Sequence, residues 1–137
     1  GSEQLHHILE SFPYWFGPKL TDYIGREPDL PFDQHELKAA VAPRALMTTE
    51  ALGDLWANPR GTYQTHLAAR EVYRFLDCEQ RIGIHYREGK HAHTLEDWST
   101  FLDFAQWQFG DAAHPPDLND QPFDDLKPAF EFTRPGR

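Results

Sequence analysis

A single cysteine, Cys78, stands among the 137 residues. With no second thiol there is no internal disulfide, and cysteine usage leaves the redox compartment open. Lysine and arginine number 13 against 22 aspartates and glutamates, the net charge is −9, and no basic cluster occurs. That balance argues against nucleic acid and against an anionic membrane as partners. No apolar run approaches the roughly 20 residues needed to span a bilayer. A signal-peptide pattern is also missing, but Gly1-Ser2 reads as an expression scar, so the natural precursor is unconstrained. Internal repeats and low-complexity tracts are absent too. What is present is aromatic bulk, four Trp, five Tyr and ten Phe, enough for the core of one ordinary domain.

The patterning predicts alternating helices and strands. Glu3 to Phe12 reads as a short helix with Leu5, Ile8 and Leu9 inward, ended by Pro13. The segment FPYWFGP, Phe12 to Pro18, follows; its rings either pack the core or present Tyr14 and Trp15 as a pocket wall. Asp33 caps a helix that stops at Pro43 and carries His35, read as structural. Arg44 to Thr49 is a mostly apolar strand, and Glu50 to Gly61 is a turn-rich loop holding Asp54 and Trp56. Thr62 to Leu76 is an amphipathic helix with Leu67, Ala68, Val72, Phe75 and Leu76 inward.

Arg81 to Arg87 alternates as a second strand, with Ile82, Ile84 and Tyr86 on one face. Glu88-Gly89-Lys90 breaks it. His91 and His93 then lie in a tight loop before a helix from Leu95 to about Phe109, capped by Thr94 with Asp97 three residues on. That helix is expected to turn Trp98, Leu102, Ala105 and Phe109 inward. From Gly110 to Arg137 the chain is acidic, Pro-rich and aperiodic, either a flexible tail or a strap held by Phe123, Phe130 and Phe132.

A strand–helix–strand unit of this length implies neighbouring parallel strands joined by a right-handed crossover. Both loops then leave the same edge of the sheet, where open α/β sheets bind ligands, and Asp54 approaches His91. A carboxylate that orients an imidazole, and an imidazole that deprotonates a hydroxyl, are two-thirds of a hydrolytic triad. In α/β-hydrolases the nucleophile precedes acid and histidine and sits in a G-x-S-x-G elbow. Ser2, Ser11 and Ser99 are the only serines, and none is flanked in this way. The strands are also too few for a complete sheet, so the pattern reads as the C-terminal portion of a larger α/β-hydrolase.

Six segments in order carry a family resemblance: FPYWF (12–16), LPFDQHEL (30–37), APRAL (42–46), DLWANPRG (54–61), VYRFL (72–76) and GKHAHTLEDWSTFLDFA (89–105). Together they resemble the C-terminal part of glucuronoyl esterases, carbohydrate esterase family 15, especially the bacterial branch. The resemblance covers residues 3 to 109 and implies part of a three-layer αβα sandwich whose elbow-bearing N-terminal half is not in this chain. It further implies a secreted or periplasmic serine esterase, needing neither metal nor cofactor. Its substrate would be the ester between 4-O-methyl-glucuronic acid of xylan and lignin alcohols. Carried over, His91 would be the general base, Asp54 the acid and Trp56 a contact to the uronic acid or its neighbour. Tyr14 and Trp15 would add to the substrate wall. Other members place a Glu further upstream as the acid. The chain alone, without the serine, is expected to be inactive.

Three alternatives follow from the residues themselves. The H-x-H spacing makes His93 a second choice for the base. His91, His93 and either His85 or Asp97 could surround Zn²⁺. The fragment could also be a non-catalytic interaction module that self-associates through uncovered apolar surface.

Overall fold

The computed structural model describes residues 1–110 and 115–132. Helix α1 (Leu5–Ser11) buries Leu9 and half-buries Leu5 and Ile8. Three Pro-initiated 3₁₀ turns follow, at Pro13–Trp15, Pro18–Tyr23 and Glu27–Asp29. Helix α2 (Gln34–Ala39) is capped by Asp33, whose carboxylate accepts from the Gln34 amide while Glu36 accepts from the Asp33 amide. This reciprocal pairing satisfies donors that the first helical turn leaves open.

Strand β1 (Leu46–Ala51) and strand β2 (Ile82–Arg87) pair in parallel, from Leu46 opposite Ile82 to Ala51 opposite Arg87. Helix α3 (Pro59–Phe75) forms the crossover between them. Strand β1 starts two residues later than its composition predicts, because Arg44 closes a turn onto the Val41 carbonyl through its amide and Nε. It also runs on through Glu50 and Ala51, which face β2 and extend the ladder. Of the two strands β2 is the better buried; β1 is half-buried, with no strand on its outer edge among the described residues.

The inward face of α3 differs from the aliphatic stripe. Tyr63, His66, Ala68, Ala69 and Tyr73 are buried, Leu67 and Val72 are half-buried, and Phe75 and Leu76 are exposed. The alanines permit close approach to the sheet, and the Tyr73 hydroxyl donates to the Arg44 carbonyl at 2.9 Å. A second, tyrosine-bearing stripe at helical spacing therefore wins over the one that hydrophobicity alone selects.

Helix α4 (Leu95–Phe109) has the Thr94–Asp97 capping box, but its roll is also not the expected one. Asp97, Thr100 and Phe104 face inward, Ala105 is half-buried, and Trp98, Leu102 and Phe109 are exposed. An ion pair from Asp97 to Arg87 at 2.6 Å fixes that roll, since neither charge can be left buried alone.

Residues 115–132 are strapped along the domain. The Ile84 amide donates to Leu118, and the Asp120 amide donates to Ile84, so this segment covers the free edge of β2. Phe123 packs edge-on against Tyr63 and Tyr86, while Phe130 stacks on His35 at 5.6 Å and Phe132 meets it edge-on. The remainder of the acidic C-terminal stretch, 111–114 and 133–137, lies outside the described residues. Among the described residues, two clusters of buried side chains stand out. Ala69, Tyr73, Cys78 and Ile82 fill one; Tyr63, Ile84 and Tyr86 fill the other, with Phe123 and Leu126 against it.

Candidate active site

Beyond the last paired residues the ladder continues into both loops. The Leu52 amide donates to Arg87 at 2.9 Å, and the Gly53 amide donates to Gly89 at 3.0 Å. A Cβ on Gly53 would lie 2.4 Å from the Gly89 carbonyl oxygen, so only glycine permits this approach of one loop to the other. Gly89 itself has φ +108°, in the region that favours glycine. The two loops are thus joined main chain to main chain at the carboxyl edge of the sheet.

Asp54 follows Gly53 directly. Its Oδ2 lies 2.7 Å from Nδ1 of His91, although 37 positions separate them. The Asp54 side chain is 9% exposed and that of His91 84% exposed, so a sheltered acid holds an imidazole that stands open to solvent. A carboxylate only accepts, so Nδ1 carries the proton of this bond and Nε2 is left as the acceptor. Asp54 Oδ1 also accepts weakly from the Ala57 amide at 3.4 Å, the Asx-type contact of a residue that also shapes its own loop. The pair borders a hollow of about 290 Å³, shared with Thr49, Glu50, Lys90 and His93.

The other candidates fall elsewhere. His93 packs edge-on against Trp98, 4.8 Å between ring centres, with its own place beside the hollow. Trp56 is half-exposed, meets His7 edge-on at 4.9 Å, and accepts the Glu3 amide on its carbonyl. Tyr14 is 97% exposed, and Trp15, stacked on Phe12 at 4.2 Å, is 66% exposed. These rings do not pack the core, because the Pro-initiated turn carries them out over the surface. Tyr14, Trp15 and Trp56 do not line the hollow.

The zinc set does not assemble. His85 is held between Glu96 at 3.2 Å and Asp120 at 3.0 Å, and Asp97 is engaged by Arg87 and Thr94. Among the described residues no group of three or more His, Cys, Asp or Glu is arranged to hold a metal.

Sequence reasoning missed Arg87. Alternation puts it on the face opposite Tyr86, as a polar strand-end residue. It is instead buried, and its guanidinium spans Asp97 and the carbonyls of Glu88, Lys90 and Ala92. The available signal was an arginine closing a strand ten residues before a capping aspartate.

The family model described as glucuronyl esterase, fungi, matches residues 2–77. The chain belongs to the glucuronoyl esterase family. A carbohydrate esterase from an unknown prokaryotic organism is 36% identical over 118 residues, covering 75% of this chain and 27% of that protein. A 4-O-methyl-glucuronoyl methylesterase of Wolfiporia cocos is 35% identical over 88 residues, 61% of this chain and 21% of its own length. Among solved structures, a family 15 glucuronoyl esterase from Caldicellulosiruptor kristjansonii superposes with a TM-score of 0.81 at 34% identity. That match covers 93% of this chain and 35% of the other. The parallel strands and flanking helices are accordingly part of an α/β-hydrolase fold, and the chain spans well under half the length of these relatives.

Proposed function

We propose that this chain supplies the histidine and the acid of a Ser–His–acid triad in a glucuronoyl esterase. A serine outside these 137 residues serves as nucleophile. His91 Nε2 takes the proton of that serine as it attacks the ester carbonyl, then returns it to the departing alcohol. Asp54 holds Nδ1–H, fixing the tautomer and stabilising the imidazolium that forms. The substrate is the ester joining 4-O-methyl-glucuronic acid of xylan to a lignin alcohol, met outside the cytoplasm by a secreted or periplasmic enzyme without metal or cofactor. Trp56, with Tyr14 and Trp15 exposed nearby in sequence to α1, offers flat faces for sugar or aglycone.

The observation that carries this reading is the 2.7 Å contact between Asp54 and His91, in a chain whose relatives are named as esterases of this type. His91, not His93, is the base because only His91 is paired with a sheltered carboxylate. The isolated chain is expected to leave benzyl glucuronate intact. In the full-length parent, His91→Ala lowers kcat/KM by on the order of 10³-fold or more and Asp54→Asn by on the order of 10²-fold or more, whereas His93→Ala keeps most activity. A parent in which His93→Ala is the inactive variant would move the role to that residue. Equal activity of Asp54→Asn and wild type would pass the acid's role to an upstream Glu.

A further inference from the structure

Arg87 closes β2 immediately before the histidine loop, and its side chain is 6% exposed. Its five N–H donors are spread over one carboxylate and three carbonyls. Nε donates to Asp97 Oδ2 at 2.6 Å, Nη1 donates to Glu88 at 3.0 Å, and both Nη groups reach Lys90 at 3.3 Å. Nη2 also donates to Ala92. Lys90 and Ala92 are the residues on either side of His91. One planar guanidinium therefore grips the main chain just before and just after the imidazole-bearing residue, which a point charge cannot do.

Asp97 links the same grip to its surroundings. Its Oδ2 accepts from the Thr94 amide at 2.7 Å and the Thr94 hydroxyl at 2.9 Å, fixing where α4 begins. Burial disfavours its charge, but the Thr94 amide, Arg87, and the Thr94 and Thr49 hydroxyls draw its pKa down to about 2. It thus stays ionised and keeps the guanidinium in place throughout the neutral range. Buried ion pairs commonly add little net stability over an apolar pair of equal volume, whereas they do impose one geometry. The geometry imposed here is that of the residue paired with Asp54.

We propose that Arg87, braced by Asp97, is a positioning residue that sets the backbone on both sides of His91 and so holds its Nδ1 against Asp54. Neither residue touches the reacting atoms. The assignment rests on His91 acting as the general base, and it deepens that reading by naming what aims the ring.

The test follows the His91 tautomer in the full 137-residue chain, read from ¹⁵N chemical shifts of histidine-labelled protein above its titration range. Wild type is expected to hold the Nδ1–H form, and Asp54→Asn to lose it. Arg87→Lys keeps a positive charge facing Asp97 but cannot span Lys90 and Ala92; it should lose at least half of the Nδ1–H population with the circular dichroism unchanged. Should Arg87→Lys prove unfolded, the apolar double variant Arg87→Met/Asp97→Leu, which retains buried volume, should show the same loss. Full retention of the Nδ1–H form in a folded Arg87→Lys overturns the proposal, as does its absence from wild type. Unfolding of both variants would assign the pair to the fold as a whole and overturn it too. The readout needs no turnover, so a full-length parent inactive on glucuronate esters, with the tautomer shift intact, sinks the esterase reading alone.

Discussion

His66 is the residue whose burial has the most direct measurable consequence. It is 1% exposed on the inner face of α3, with neither ring nitrogen hydrogen-bonded within the described structure. Burial first, then the charges of Lys38 and Arg70, push its pKa down to about 3. The unfolded chain binds a proton on this ring below about pH 6.5, while the folded chain does not until about pH 3. Its contribution is therefore complete above the unfolded value and is lost at about 1.4 kcal/mol per pH unit on acidification through that window. His66→Leu removes the proton site. Urea titrations near neutrality and near pH 5 should show the variant gaining on wild type as the pH falls; a constant gap would mean that His66 takes up its proton as readily in the fold as in the unfolded chain. Nothing in the sequence announced this histidine, because a lone His on a helix has the same letter whether it is sheltered or solvated.

At the scale of elements, α4 shows where pattern reading succeeds and where it turns the wrong way. Its ends were legible, since Thr94 and Asp97 form a local capping box and Gly110 follows Phe109. Its inward face was not, because that choice depends on Arg87, seven residues before the cap and on another element. The strand–helix–strand unit was likewise legible, and with it the meeting of Asp54 and His91, because strands joined by a helical crossover pair in parallel and send both following loops to one edge of the sheet. The Gly53–Gly89 contact and the Arg87 grip were hidden, being main-chain approaches that no side-chain periodicity records. The roll of α4 yields a paired prediction. Phe104→Ala empties a buried site and should cost about 3–5 kcal/mol, whereas Leu102→Lys, 64% exposed in wild type, should stay within about 0.5 kcal/mol. Thermal unfolding of both decides it, and comparable losses would mean that the helix sits with its aliphatic stripe inward after all.

Among the described residues the domain has a sheet of two parallel strands, shielded differently on its two sides. Along β2 the shield is the strap at Leu118 to Asp120, where the Asp120 carboxylate also accepts from the Tyr86 amide at 2.7 Å and pairs with His85. Deleting 115–137 bares the Ile84 and Tyr86 amides and the rings of Tyr63 and Tyr86, and exposed strand edges recruit other chains. The truncated chain should sediment as larger species than the intact one at equal concentration; an unchanged distribution would show that the strap does not guard this edge. The outer margin of β1 has no such guard among the described residues. Growth of the sheet is accordingly one-sided. A further parallel strand joining this sheet in register would therefore pair beside Leu46–Ala51, next to the loop that carries Asp54 and on the side away from the loop that carries His91.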